Sequence, residues 1–88
     1  MTKILEVIYR APVDSCRESR IVSTSQHYGG EVTYREEPTS TSVVQSICLT
    51  IEFAELADAG LAATELRSQG EHVGGPVDYG DNERGGPG

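Results

Sequence analysis

From Ser46 to Phe53 the side chains sort by parity: Ile47, Leu49, Ile51 and Phe53 occupy one set of positions, Ser46, Cys48, Thr50 and Glu52 the other. Successive side chains of a strand point to opposite faces. Such a segment therefore has one dry and one wet side, and belongs in a sheet covered on one face only. The strand is expected over Val43–Phe53, and the rest of the chain must supply what covers its dry side.

Five further elements surround it. Lys3–Tyr9 is short and rich in β-branched and aromatic residues, with apolar side chains at both parities, which reads as an inner strand. Ala11-Pro12 ends it. Asp14 and Ser15 offer capping oxygens, and Glu18 stands three residues after Ser15 as in a capping box, so a helix is predicted over Ser15–His27. Its apolar pattern is thin, with Cys16, Ile21, Val22 and Tyr28 the only sizeable candidates. Gly29-Gly30 stops it. Glu31–Glu36 alternates Val32 and Tyr34 with Thr33 and Arg35, a half-buried strand. The polar run Glu37–Ser42 then reads as a hairpin connector.

From Ala54 to Gln69 the composition turns to alanine, leucine and glutamate. Leu56, Ala59, Ala63 and Leu66 form a helical stripe with Ala62 beside it. Gly60 within that helix is expected to bring it close to the sheet. After Gly70, Glu71-His72-Val73 and Val77-Asp78-Tyr79 supply a last edge strand, interrupted by Gly74-Gly75-Pro76. Residues 1–79 make one α+β domain; Gly80–Gly88, glycine-rich and apolar-poor, is expected to be a flexible tail.

The order is β-α-β-β-α-β. With right-handed crossovers it predicts a ferredoxin-like two-layer sandwich, in which a four-stranded antiparallel sheet carries both helices on one face. The two most apolar strands, the first and third, are then central. Leu5, Val7 and Tyr9 join the dry parity of the third strand beneath the helices. Ile4, Glu6, Ile8, Cys48, Thr50 and Glu52 are left on the open face.

Charge narrows what that face can bind. Fourteen acidic against seven basic residues in 88 give a formal net charge of −7. Phosphate-rich partners take much of their affinity from lysine and arginine, so neither nucleic acid nor an anionic membrane surface is expected. No charged-then-apolar leader opens the chain and no apolar stretch approaches membrane length, so a cytoplasmic protein with reduced Cys16 and Cys48 is expected.

Catalytic signals are sparse. Glu6 and Glu52 are expected as neighbours across the central strands, where paired carboxylates can divide acid and base roles, but no third group joins them. Two cysteines, with His27 and His72 at unrelated spacings, make no zinc signature. Gly29-Gly30 and Gly74-Gly75 lack the lysine and hydroxyl of a phosphate loop. The open face carries none of the stacking aromatics and flanking cations of an RNA-binding sheet at Cys48, Thr50 or Glu52. No cofactor, metal or catalytic residue is therefore assigned.

The expected function is a small non-enzymatic interaction or regulatory domain, homodimeric through its open face. Two alternatives stand beside it: an acidic inhibitor or mimic that occupies a basic groove of another protein, and a small enzyme using the carboxylates or a thiol.

Overall fold

The computed structural model describes residues 2–43 and 45–79. Its elements run β1 (Thr2–Arg10), α1 (Ser15–His27), β2 (Glu31–Glu36), β3 (Ser46–Phe53), α2 (Leu56–Ser68) and β4 (His72–Tyr79). The strands form one antiparallel sheet in the order β2-β3-β1-β4, and both helices contribute to the core on one face of it. This is the ferredoxin-like α+β sandwich, with β1 and β3 central as their composition predicts.

The core follows from parity. Leu5 and Val7 of β1, Leu49, Ile51 and Phe53 of β3, and Val73 of β4 point to the helices. They meet Ala59, Ala62, Ala63 and Leu66 of α2 and Ile21 of α1. Small alanines let α2 lie low on the sheet, whereas α1 buries only Ile21 and Ser25. The Ser25 hydroxyl donates to the Ile21 carbonyl at 2.8 Å, so it needs no partner outside its own helix. That accounts for the thin apolar pattern of α1.

Where α1 begins, the capping box does not form. Asp14 is the N-cap, accepting from the Arg17 amide at 3.0 Å, while the Glu18 carboxylate turns to Tyr9 and Arg35. At its end, Gly29 takes a φ of +85°, a conformation natural to glycine. Gly30 has a different task. A Cβ there would lie 2.4 Å from Cζ of Phe53, so only a bare backbone fits under that ring.

Several boundaries differ from the sequence reading. β3 starts at Ser46, because Thr39, Ser42 and Gln45 bond to one another ahead of it: Gln45 donates to the Ser42 carbonyl at 2.8 Å, and the Thr39 amide donates to the Ser42 hydroxyl at 2.9 Å. Val43, expected in the strand, is 98% exposed. Leu56, expected on the buried stripe, is half exposed in the first turn of α2. Gly60 brings nothing close, since a Cβ there would meet open space. β4 runs unbroken through Gly74-Gly75-Pro76, because a register shift opposite Ile4–Glu6 absorbs the irregularity and Gly75 takes a φ of +101°. The expected tail, Gly80–Gly88, lies outside the described residues. No helix among the described residues is long and apolar enough to cross a membrane.

Candidate open-face interaction site

Register assigns the open face row by row. Glu36, Cys48, Ile8 and His72 lie across the sheet from β2 to β4; Tyr34, Thr50, Glu6 and Gly74 form the next row; Glu31, Glu52, Ile4 and Val77 the third. The six residues read from the sequence thus share one surface: Ile4, Glu6 and Ile8 on β1, Cys48, Thr50 and Glu52 on β3. Ile4, which the sequence reading leaves outward, is only 6% exposed between its register partners Glu52 and Val77. Tyr34 and Val77, on the two edge strands, are far more open, at 59% and 43%.

Tyr34, Glu31, Glu36, His72 and Val77 were not legible as members of this face. On a regular strand Val32 and Tyr34 share a side; the shift between them sends Val32 toward the helices beside Ile51 and Tyr34 to the open side beside Thr50. No turn residue marks that bulge in the sequence.

Glu6 and Glu52 are not opposite each other. Glu6 pairs with Thr50 and Glu52 with Ile4, which makes the two carboxylates diagonal neighbours. Glu52 instead accepts from the Thr33 hydroxyl at 3.0 Å. Cys48 sits half-buried between Glu36 and Ile8, and burial, reinforced by Glu6 and Glu36, pushes its thiol pKa upward. A protonated thiol is a poor nucleophile. Cys16 is exposed on α1, and neither cysteine forms a disulfide.

The helix side consumes cations. Arg17 reaches Glu71 through Nε at 2.9 and 3.0 Å, Arg20 reaches it at 3.2 Å, and Glu71 is buried between them. Arg35 binds Glu18 at 2.7 and 2.9 Å and also pairs with Glu37. The Arg35 hydrogen bonds, with the Tyr9 hydroxyl adding to them, hold the Glu18 carboxyl below its ordinary pKa. Burial, with that same bond to Glu18, raises the phenol of Tyr9. Arg17 lies over the Tyr9 ring, 5.0 Å from its centre. Arg17, Arg20 and Arg35 are thus engaged by Glu71, Glu18 and Glu37 on that side. The open face keeps Glu6, Glu31, Glu36 and Glu52, with Arg10 at its rim as the arginine.

Among the described residues, concavities lie on the helices. A groove of about 490 Å³ runs between α1 and β2, and a smaller one of about 290 Å³ is lined by Ser23, Thr24, His27, Tyr28 and Glu65. Neither is lined by Glu6, Glu52, Cys16 or Cys48. No group of three or more potential metal ligands occurs among the described residues. Compared by sequence with protein-family models and with curated proteins, the chain matches none.

Proposed function

We propose that this chain is a small non-enzymatic protein-interaction domain that docks a partner on its open sheet face. One observation supports this reading above the others: the face sets apolar Ile8, Tyr34 and Val77 among four glutamates, while the arginines of α1 and β2 are engaged on the helix side. A partner that fits is a helix with an apolar stripe bordered by lysine or arginine. It would cover this face as α1 and α2 cover the other, and its cations would meet Glu6, Glu36 and Glu52.

A second reading keeps the face and replaces the partner by another copy of the chain. The apolar residues favour it, and a domain this small gains stability by burying more surface. The carboxylates oppose it, because a two-fold seam brings each acidic set against its twin.

Light scattering across protein concentration, together with NMR shift mapping using an amphipathic leucine–lysine helical peptide, separates the two. Docking predicts a monomer whose Glu6, Ile8, Cys48 and Thr50 amides shift with peptide, with binding weakened by salt and lost in Glu6→Lys/Glu36→Lys. A salt-resistant dimer broken by Ile8→Glu would support the second reading. Peptide shifts confined to the helices would reject both uses of this face.

A further inference from the structure

The two edges of the sheet are finished differently. On β4, Arg67 donates from Nη2 to the carbonyls of Val73 at 3.0 Å and Gly75 at 3.1 Å. Pro76 contributes no N–H there. Those groups are engaged or missing, and natural edge strands are blunted in this way against unwanted pairing. On β2 nothing comparable is present: among the described residues, no side chain bonds to the main chain of Glu31–Glu36. Among the described residues β3 is the only strand beside it, and half of the peptide groups of β2 face away from β3.

That open edge borders the larger groove. Val13, Ser19, Val22 and Gln26 line its α1 side, and Arg35 of β2 lies on the other. Val13 is exposed and Val22 half-buried. Arg35 is already bound by Glu18 and Glu37, so the groove is not primarily an anion site. A strand laid along β2 would point alternate side chains the same way as Val32 and Arg35, into this groove, and the intervening ones onto the open-face side beside Glu31, Tyr34 and Glu36.

We propose that β2 and α1 together capture an extended segment of a partner protein by strand addition. The segment pairs main chain to main chain along β2, sets small apolar side chains at every second position against Val13 and Val22, and presents lysine or arginine between them to Glu31 and Glu36. Charge selects a partner over a second copy. Pairing the whole of β2 with its own antiparallel copy places Glu31 opposite Glu36 at both ends, and like charges directly opposed across strands are destabilising. The proposal concerns the sheet edge, not the open face, and stands independently of the function proposed above.

The probe is a capped eight-residue peptide alternating valine and lysine, with two controls N-methylated at every valine or at every lysine. In a strand the amides facing one neighbour belong to alternate residues, so one control must lose pairing while keeping charge and composition. The expected result in 15N NMR is saturable shifting of Glu31–Glu36, Ser19 and Val22, with slowed amide exchange in β2. One methylated peptide fails to bind, and Ser19→Trp or Val13→Asp, both at exposed positions, weakens the parent peptide about tenfold. Equal binding of both methylated peptides, shifts confined to Cys48 and Thr50, or no saturation at millimolar peptide would overturn it. A peptide-free dimer with protected β2 amides would overturn it in favour of a second copy. The leucine–lysine helix, tested in parallel, reports on the open face separately.

Discussion

Arg17 and Glu71, 54 residues apart in the chain, meet through the Arg17 Nε at 2.9 and 3.0 Å, with the Glu71 carboxylate almost wholly enclosed (1% side-chain exposure). The contact ties the first turn of α1 to the residue that leads into β4. Its two partners are unequal in solvation, because Arg17 and Arg20 keep 33% and 52% of their side chains in water. That inequality sets an order of costs. Glu71→Ala releases two arginines that can re-solvate and is expected to cost about 1–2 kcal/mol. Removing both arginines by Arg17→Ala/Arg20→Ala strands a buried carboxylate and should cost more, ~3 kcal/mol. Urea unfolding of the two variants checks the ranking. Equal losses would mean that Glu71 reaches water once its partners are gone.

The glycines give a prediction of opposite signs. Gly30→Ala drives a methyl into the Phe53 ring, with a Cβ 2.4 Å from Cζ and 3.0 Å from Cγ2 of Ile51. Overpacking of this kind costs about 1–3 kcal/mol. Gly60→Ala adds a methyl in open space within α2 and should stabilise by about 1 kcal/mol, the ordinary helix preference for alanine. Thermal melts of the pair should therefore move in opposite directions.

What the sequence disclosed follows the range of each interaction. The parity of Ile47–Phe53 is local, so β3, its dry face and the central places of β1 and β3 were legible. α1 was legible at both ends, although its N-cap is Asp14 and its Glu18 serves a strand 17 residues away. Gly60 and Gly30 show the limit. Sequence marks a glycine as permissive, but only tertiary packing decides which one lies under a ring. The candidate surface was half legible, because the bulge that turns Tyr34 outward leaves no turn residue behind. The sequence places Glu71 in an edge strand, but a carboxylate in a polar stretch gives no sign that two arginines from a distant helix will bury it.

Acid should unfold this protein partly through Glu18. Its pKa is lowered in the fold, first by hydrogen bonds from Arg35 and then by the Tyr9 hydroxyl, against an ordinary value of 4.5. A lowered carboxyl pKa stabilises the folded state above the unfolded value and loses that contribution as pH falls through the folded one. Stability measured from pH 6 downward should therefore decline below about 4.5, and Glu18→Gln should flatten this part of the curve while lowering the plateau. Arg35→Ala should do the same. A Glu18→Gln curve parallel to that of the parent protein would show that Glu18 is not the titrating group.

The two thiols should react at very different rates. Cys16 is exposed on α1; Cys48 is half-buried on the open face, with its pKa raised by burial and by Glu6 and Glu36. Alkylation proceeds through the thiolate, so near pH 8 iodoacetamide should modify Cys16 first and Cys48 roughly tenfold more slowly. Glu6→Gln/Glu36→Gln removes two of the three causes and should accelerate Cys48 while leaving Cys16 unchanged. Mass spectrometry of timed quenches gives both rates from one sample. A Cys48 that reacts as fast as Cys16 would contradict its sheltered place between Ile8 and Glu36. A Cys48 protected further by the leucine–lysine helix, with Cys16 unaffected, would locate that probe on the open face by chemistry independent of NMR.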